Sequence, residues 1–126
     1  MAPRIEPPSE RRKHPRFKSR DGAFAVLQNR ETRLGRVVDV SLGGLAFHYV
    51  DGEGPNPVAT GMLDIFTVGS SVELRRLPVR TLSDIPLGDP AGEAGVRRCG
   101  VAFLMLAPAQ RETLGRLMSD PLPEPP

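Results

Sequence analysis

Short apolar segments, separated by glycine, proline and charged residues, run through most of the chain. The segments have the length of strands, and several alternate apolar and polar positions as a half-buried sheet requires. The pattern predicts six strands, over residues 22–28, 34–40, 45–50, 63–68, 71–82 and 96–106. Loops are predicted at residues 51–61 and 83–95, where glycine and proline are concentrated.

One helical segment follows the last predicted strand. Pro108 suits the first turn of a helix, where an amide hydrogen is not needed. Leu114, Leu117 and Met118 repeat at spacings of three and four, so residues 108–119 are predicted to form one short amphipathic helix. The fold class is therefore all-β, a six-stranded antiparallel β-barrel with a short C-terminal α-helix, because so small a sheet must close or be capped.

The composition bounds the domain organisation. The 126 residues fit a single domain, which we place at residues 11–119, between a flexible tail at 1–10 and a proline-rich tail at 120–126. The longest apolar run has seven residues, whereas a membrane helix needs about twenty. No apolar block follows the basic N-terminus, so we expect a cytoplasmic protein without a membrane span or a signal peptide.

Positive charge is concentrated at the N-terminus. Residues 1–20 contain seven basic and two acidic side chains, whereas the other 106 residues contain ten basic and thirteen acidic ones. A basic arm on a mildly acidic body indicates an anionic partner. Nucleic acid is disfavoured, because the chain has no Trp, one Tyr and five Phe with which to stack bases. A small basic-armed barrel that binds nucleic acid or a protein partner stays open as the alternative.

A first motif with candidate ligand chemistry lies in the basic arm. Arg12-Lys13-His14-Pro15-Arg16 places two guanidinium groups four positions apart. Pro15 argues against a helix, so the two side chains belong to an extended segment. A guanidinium donates paired hydrogen bonds to phosphate oxygens, and equally to the O6/N7 edge of guanine.

A second motif, DxSxxG at residues 39–44, ends a predicted strand. In a regular strand Asp39 and Ser41 share one face, while Val38 and Val40 take the other and point inward. The carboxylate can accept the N–H donors of guanine, and the hydroxyl and the amides at the glycines can donate to phosphate. Together the two motifs supply partners for both guanine edges and positive charge for phosphate.

The two motifs together resemble those of the PilZ domain, a family of bacterial receptors for the second messenger cyclic di-GMP. The resemblance covers residues 12–119 and implies a six-stranded barrel that holds the ligand between the arginine loop and the barrel surface. It implies ligand contacts from Arg11, Arg12, Arg16, Asp39, Ser41, Gly43 and Gly44. It implies no cofactor besides this ligand, and a downstream protein partner whose identity the sequence does not choose.

Other chemistry-bearing residues are given no site. No P-loop, GxGxxG or nucleophile elbow is present, so an enzyme is not expected. His14 is predicted to be an exposed loop residue without a ligand role, His48 to lie on a strand near the barrel rim, and Cys99 to be a small core or strand residue. These three residues do not form a zinc set. The mechanism we expect is closure of residues 10–17 over cyclic di-GMP, against the strand that carries Asp39.

Overall fold

The structure is a computed structural model that describes residues 14–20, 22–29, 31–50, 59–69, 73–88 and 95–122. Within these ranges the chain forms eight strands and one helix. The strands are β1 (Phe17–Ser19), β2 (Ala23–Gln28), β3 (Thr32–Val40), β4 (Gly44–Val50), β5 (Thr60–Thr67), β6 (Glu73–Pro86), β7 (Val96–Phe103) and β8 (Met118–Pro121). The helix, α1, spans Pro108–Gly115.

Six of the strands close into an antiparallel barrel. Their order is β2-β5-β6-β7-β4-β3, and the pairing of β3 with β2 completes the circle. The predicted six-stranded antiparallel barrel with one short C-terminal helix is therefore confirmed. Several predicted boundaries were wrong: β7 ends at Phe103 rather than at residue 106, and α1 ends at Gly115 rather than at residue 119. β5 begins at Thr60 rather than at residue 63.

A two-stranded ribbon, which the sequence pattern did not predict, extends the sheet beyond β3. β1 pairs with the end of β3, where Lys18 lies opposite Asp39, and β8 pairs with the other side of β1. The Leu122 amide donates to the Arg16 carbonyl at 2.9 Å. The C-terminal segment therefore holds the backbone at the second arginine of the RxxxR motif, and strand structure continues past residue 119 to Pro121.

Aliphatic and aromatic side chains fill the barrel interior. The largest fully buried ones on the strands are Phe47, Leu27, Leu63, Ile65, Leu77, Val40 and Val79. Leu114 of α1 and Leu117 just after it are also fully buried and join the same cluster, so the helix closes on the core. Each such burial contributes about 1.5–3 kcal/mol of hydrophobic free energy. Cys99 is buried in this core, as predicted.

A β-bulge in β3 interrupts the alternation of inward and outward side chains. The register shifts between Val37 and Asp39, so that one extra residue lies in β3 at this point. As a result Val37 and Val40 are in the core, and the prediction that Val38 and Val40 form the inward face was wrong for Val38. In a regular strand an inward Val37 would also turn Asp39 inward; the bulge places that carboxylate on the outer face.

A second bulge lies in β6, between Thr81 and Ser83. Thr81 is buried and the Asp84 side chain is 3% exposed, whereas Leu82 between them is 62% exposed. The bulge therefore leaves two consecutive residues on the outer face. Residues 83–86, which were predicted to be loop, belong to β6, because they continue to pair with β7 as far as Pro86.

Candidate ligand-binding site

A cavity of about 520 Å³ opens on the outer face of the barrel, beside the end of the N-terminal arm. Its volume falls within the range of roughly 300–1,000 Å³ that is usual for small-molecule sites. Members of both sequence motifs line it: Arg16, Asp39, Ser41, Gly43 and Gly44. The cavity therefore brings together residues that are separated by more than twenty positions in the chain.

The floor of the cavity is a row of paired residues with small side chains. Asp39 on β3 pairs with Ala46 on β4, Ala46 with Gly100 on β7, and Gly100 with Ser83 on β6. The β3 and β6 bulges lie at the two ends of this row. Bulges bend strands and increase their local twist.

Asp39 is held by two arginines inside the cavity. Arg16 donates from Nε to Oδ1 at 2.8 Å and from Nη2 to Oδ2. Arg98 of β7 donates from Nη2 to Oδ2 at 3.0 Å. The Asp39 side chain is 8% exposed, whereas those of Arg16 and Arg98 are 26% and 30% exposed. A carboxylate offers about four lone pairs, so these bonds leave one acceptor position, on Oδ1.

Ser41 and the two glycines form a tight turn between β3 and β4. The Ser41 amide donates to the Gly44 carbonyl at 2.8 Å, and the Ser41 hydroxyl donates to the same oxygen at 3.3 Å. The Gly43 amide donates to Ser41 Oγ at 3.1 Å. The hydroxyl and the Gly43 amide, which the sequence suggested as phosphate donors, are therefore engaged within the turn.

Gly44 is required by the close approach of two strands. A Cβ at this position would lie 2.1 Å from the Val101 carbonyl oxygen of β7. At Gly43 the nearest atom to a Cβ would be His14 Cδ2, at 3.1 Å, which belongs to a side chain that can move. Neither glycine has a positive φ. The packing of β4 on β7 thus accounts for the last glycine of DxSxxG.

A second row of paired residues, next to the floor, is cationic. Arg36 of β3 pairs with His48 of β4, and His48 pairs with Arg98 of β7. Partial burial and the positive charges of Arg98 and Arg36 lower the pKa of His48, so its imidazole is neutral at pH 7. Within the cavity itself, Arg16 and Arg98 face a single carboxylate. The site therefore favours an anionic ligand.

Comparison with known families gives a match that spans most of the chain. The model of the PilZ domain matches residues 10–120. The chain belongs to the PilZ family. PilZ domains are non-catalytic domains that bind cyclic di-GMP, and the resemblance proposed from the two motifs is confirmed at the level of the family.

Among solved structures, the PilZ domain of YcgR from Escherichia coli, determined with cyclic di-GMP, is similar to this chain. The two superpose with a TM-score of 0.61, and the match covers 86% of this chain and 88% of that one. Their sequences are 16% identical, so this likeness shows the fold. No curated protein matches the chain significantly.

The structure places part of the PilZ arginine motif. Arg16 lies in the cavity, whereas Arg11 and Arg12 lie outside the described residues. His14 is a loop residue, as predicted, but it is half-buried rather than exposed and lines the cavity. Its position two residues before Arg16 in the motif was the available signal.

Arg98 is the site residue that sequence reasoning missed. It lines the cavity of this PilZ domain and binds Asp39, although 59 positions separate the two residues. The available signal was its position on β7, one residue before Cys99 and three before Val101, both buried in the core. Alternation along a strand places Arg98 on the opposite, outer face.

Among the described residues of the PilZ domain, the other reactive side chains do not form a metal centre. Across the ranges that the structure describes, no three His, Cys, Asp or Glu side chains are grouped so as to bind a metal ion. No helix within those ranges has the length and apolar character needed to cross a membrane. Burial raises the pKa of the Cys99 thiol to about 12, so this group stays protonated at neutral pH.

Proposed function

We propose that this PilZ domain is a cytoplasmic receptor that binds cyclic di-GMP in the cavity and signals to a downstream protein partner. The observation that carries the proposal is the convergence of Arg16, from the RxxxR motif, with Asp39 and Ser41, from DxSxxG, on one cationic cavity. The similar PilZ domain of YcgR, determined with cyclic di-GMP, supports the choice of ligand.

In the proposed complex, the cavity arginines bind the charged and polar edges of the ligand. Arg16 and Arg98 donate to phosphate oxygens or to the O6/N7 edge of a guanine. Asp39 accepts a guanine N–H at its remaining lone pair on Oδ1. Arg98 donates one hydrogen bond to Asp39, and Arg16 donates two. When Arg98 turns to the ligand, Asp39 can accept a second guanine N–H while it keeps both hydrogen bonds from Arg16.

The rest of the proposed binding set comes from the two motif segments. The Ser41 turn, with its glycines, forms the end of the cavity against which a phosphate rests. The preceding arm completes the set, and the full proposal is Arg11, Arg12, Arg16, Asp39, Ser41, Gly43 and Gly44, with Arg98 added. Arg11 immediately precedes the first motif, whereas Arg98 lies far from both motifs in the sequence.

Ligand binding is transmitted by the N-terminal arm in this proposal. The backbone of Arg16 is fixed by the hydrogen bond from Leu122, and Phe17 pairs with Val40 in the sheet. Closure over the ligand therefore involves residues 10–15 and turns at Pro15, a shorter segment than the 10–17 predicted from the sequence. Moving this arm changes the surface that a partner protein contacts.

Isothermal titration calorimetry of the wild-type chain with cyclic di-GMP, cyclic di-AMP and GTP tests the proposal. We expect cyclic di-GMP to bind most tightly, because only it presents two guanines and two bridging phosphates together. Equal affinities for all three nucleotides would indicate a nonspecific cationic patch and contradict the proposal. Tight binding to duplex DNA with a steep salt dependence would instead favour the nucleic-acid alternative.

Replacing Asp39 separates guanine recognition from phosphate attraction. Asp39→Ala should weaken cyclic di-GMP binding by at least about 10-fold, because one or two charge-assisted hydrogen bonds, at about 1.5–3 kcal/mol each, are lost. Its affinity for pyrophosphate should stay the same or rise, since two cavity arginines then lack a counter-charge. Asp64→Ala, on β5 and away from the cavity, is the control. Equal losses for both ligands would contradict guanine recognition by Asp39.

A further inference from the structure

A buried charged cluster lies inside the barrel, behind one wall of the cavity. Asp84 of β6 accepts hydrogen bonds at Oδ2 from the Tyr49 hydroxyl of β4, and at Oδ1 from Nε of Arg97 of β7, the latter at 2.6 Å. Arg97 Nη2 also donates to the main-chain carbonyl of Asp84 at 2.8 Å. The guanidinium of Arg33, from β3, lies 5.6 Å from the Tyr49 ring centre. The cluster thus joins four strands without lining the cavity.

Such a cluster is a weak source of stability. The Asp84 side chain is 3% exposed and that of Arg97 is 15% exposed. Removing two charges from water offsets most of their mutual attraction, and the best-attested contribution of a buried ion pair is to fix the register of neighbouring elements. Here the pair, together with the bond to the Asp84 carbonyl, fixes the register of β6 on β7 immediately after the β6 bulge.

That register determines which side chains the bulge presents to the cavity. Thr81 before the bulge and Asp84 after it both face the interior, which leaves Leu82 and Ser83 opposite Gly100 on the outer face. A shift of one residue would turn side chains on this strand to the other face. Leu82 is 62% exposed and lines the cavity, where it adds a large apolar surface beside the two arginines.

We propose that Asp84 is a positioning residue of the ligand site, which acts through the β6 bulge to present Leu82 to the flat face of a purine base. Tyr49 and Arg97 hold Asp84 in place. The face of a purine is apolar, whereas its edges and the phosphates are polar and are met by the two cavity arginines. The inference rests on the proposed binding of cyclic di-GMP. It adds Leu82 as an apolar contact for the base and Asp84 as the residue that positions Leu82.

A double-mutant cycle between Asp84→Asn and Leu82→Ala tests the proposal, with cyclic di-GMP affinity measured by calorimetry. Leu82→Ala should weaken binding about fivefold, because apolar contact area with the base is lost. Asp84→Asn should weaken binding by a similar factor. Because Asp84 acts through Leu82, the affinity of the double variant should be no lower than that of the single variant with the lower affinity. Losses that multiply would overturn the proposal.

Amide hydrogen exchange in the absence of ligand distinguishes positioning from general destabilisation. Asp84→Asn should raise exchange in residues 81–86 and leave β2 and β5 unchanged. Glu73→Gln is the matched control on the same strand, because it removes an exposed ion pair with Arg75 that lies away from the cavity. It should change neither exchange nor affinity. A uniform rise in exchange throughout the Asp84→Asn barrel would refute a positioning role.

Tyr49→Phe gives a milder test in case Asp84→Asn does not fold. It removes one hydrogen bond to Asp84 and keeps the buried ring, and it should weaken cyclic di-GMP binding about threefold. If the wild-type chain binds no cyclic di-GMP, the proposed function fails and this inference with it. If the wild type binds and neither Asp84→Asn nor Tyr49→Phe alters the affinity, only the positioning role of Asp84 is overturned.

Discussion

Arg98 contributes to ligand binding in a way that one substitution can measure. Its Nη2 lies 3.0 Å from Asp39 Oδ2, and its side chain is 30% exposed, so the guanidinium is accessible from the cavity. Arg98→Gln keeps an amide donor and removes the positive charge. We expect this variant to bind cyclic di-GMP about 5- to 30-fold more weakly than the wild type, at about 0.15 M salt.

The magnitude follows from the hydrogen bonds that change. A bond from a charged donor contributes about 1.5–3 kcal/mol, whereas a neutral one contributes about 0.5–1.5 kcal/mol. The difference of about 1–2 kcal/mol gives the expected fold-change in the dissociation constant. The fold should be little affected. Asp39 keeps both hydrogen bonds from Arg16, so the free energy of unfolding should fall by less than about 1 kcal/mol.

Arg36→Gln is the matched control. Arg36 lies in the same cationic row, on β3, but it is exposed and does not line the cavity. Since β4 separates β3 from β7, it lies about 10 Å from Arg98. A charge at that distance contributes only a few tenths of a kcal/mol in water and salt, so affinity should change less than about twofold. Equal losses for the two variants, or none for Arg98→Gln, would refute a direct contact by Arg98.

Three further predictions concern single side chains. The buried Cys99 thiol, whose pKa is raised to about 12, should resist a thiol reagent at about pH 8 in the native protein and react fully in denaturant. Because the fold lowers the pKa of His48, the unfolded chain takes up that proton first as pH falls below about 6.5. The urea-unfolding free energy should therefore decrease from pH 7.5 to pH 5, and less so in His48→Gln. Gly44→Ala should reduce stability by about 1–3 kcal/mol in the same assay, whereas Gly43→Ala should be tolerated. Equal effects would contradict the packing account of the motif.

The six barrel strands could be predicted because each contains an apolar segment of the length typical of a strand. The two strands that were missed lack this feature. β1 consists of Phe17-Lys18-Ser19 alone, and β8 is four residues long and ends in a proline. They pair with each other although they lie far apart in the sequence. The local sequence of either strand does not predict this pairing.

The two motifs included five predicted ligand residues that line the cavity, but they did not predict the geometry of the cavity. The side chains of Arg16 and Asp39 indicated which ligand groups they could bind. A bulge, however, arises from the pairing of two strands, so the sequence of one strand does not predict it. The β3 bulge reversed the expected facing of Val38, and the β6 bulge extended the strand through residues predicted as loop. Arg98 belongs to the site because β7 pairs with β4, so its role emerged only with the barrel topology.

Because the site lies on the outer face, most of the residues that fill the core are not those proposed to bind ligand. Asp39 combines burial with a proposed ligand contact. Core side chains such as Phe47 lie inside the barrel, while Arg98 is partly exposed at the cavity. Asp39 is nearly buried and needs its arginine partners, yet the same carboxylate is proposed to receive the ligand. Three of its lone pairs are used, two of them by Arg16. A ligand that attracts Arg98 therefore frees a lone pair on Asp39 Oδ2 for a guanine N–H. The carboxylate still has a counter-charge, because Arg16 keeps both of its hydrogen bonds to it.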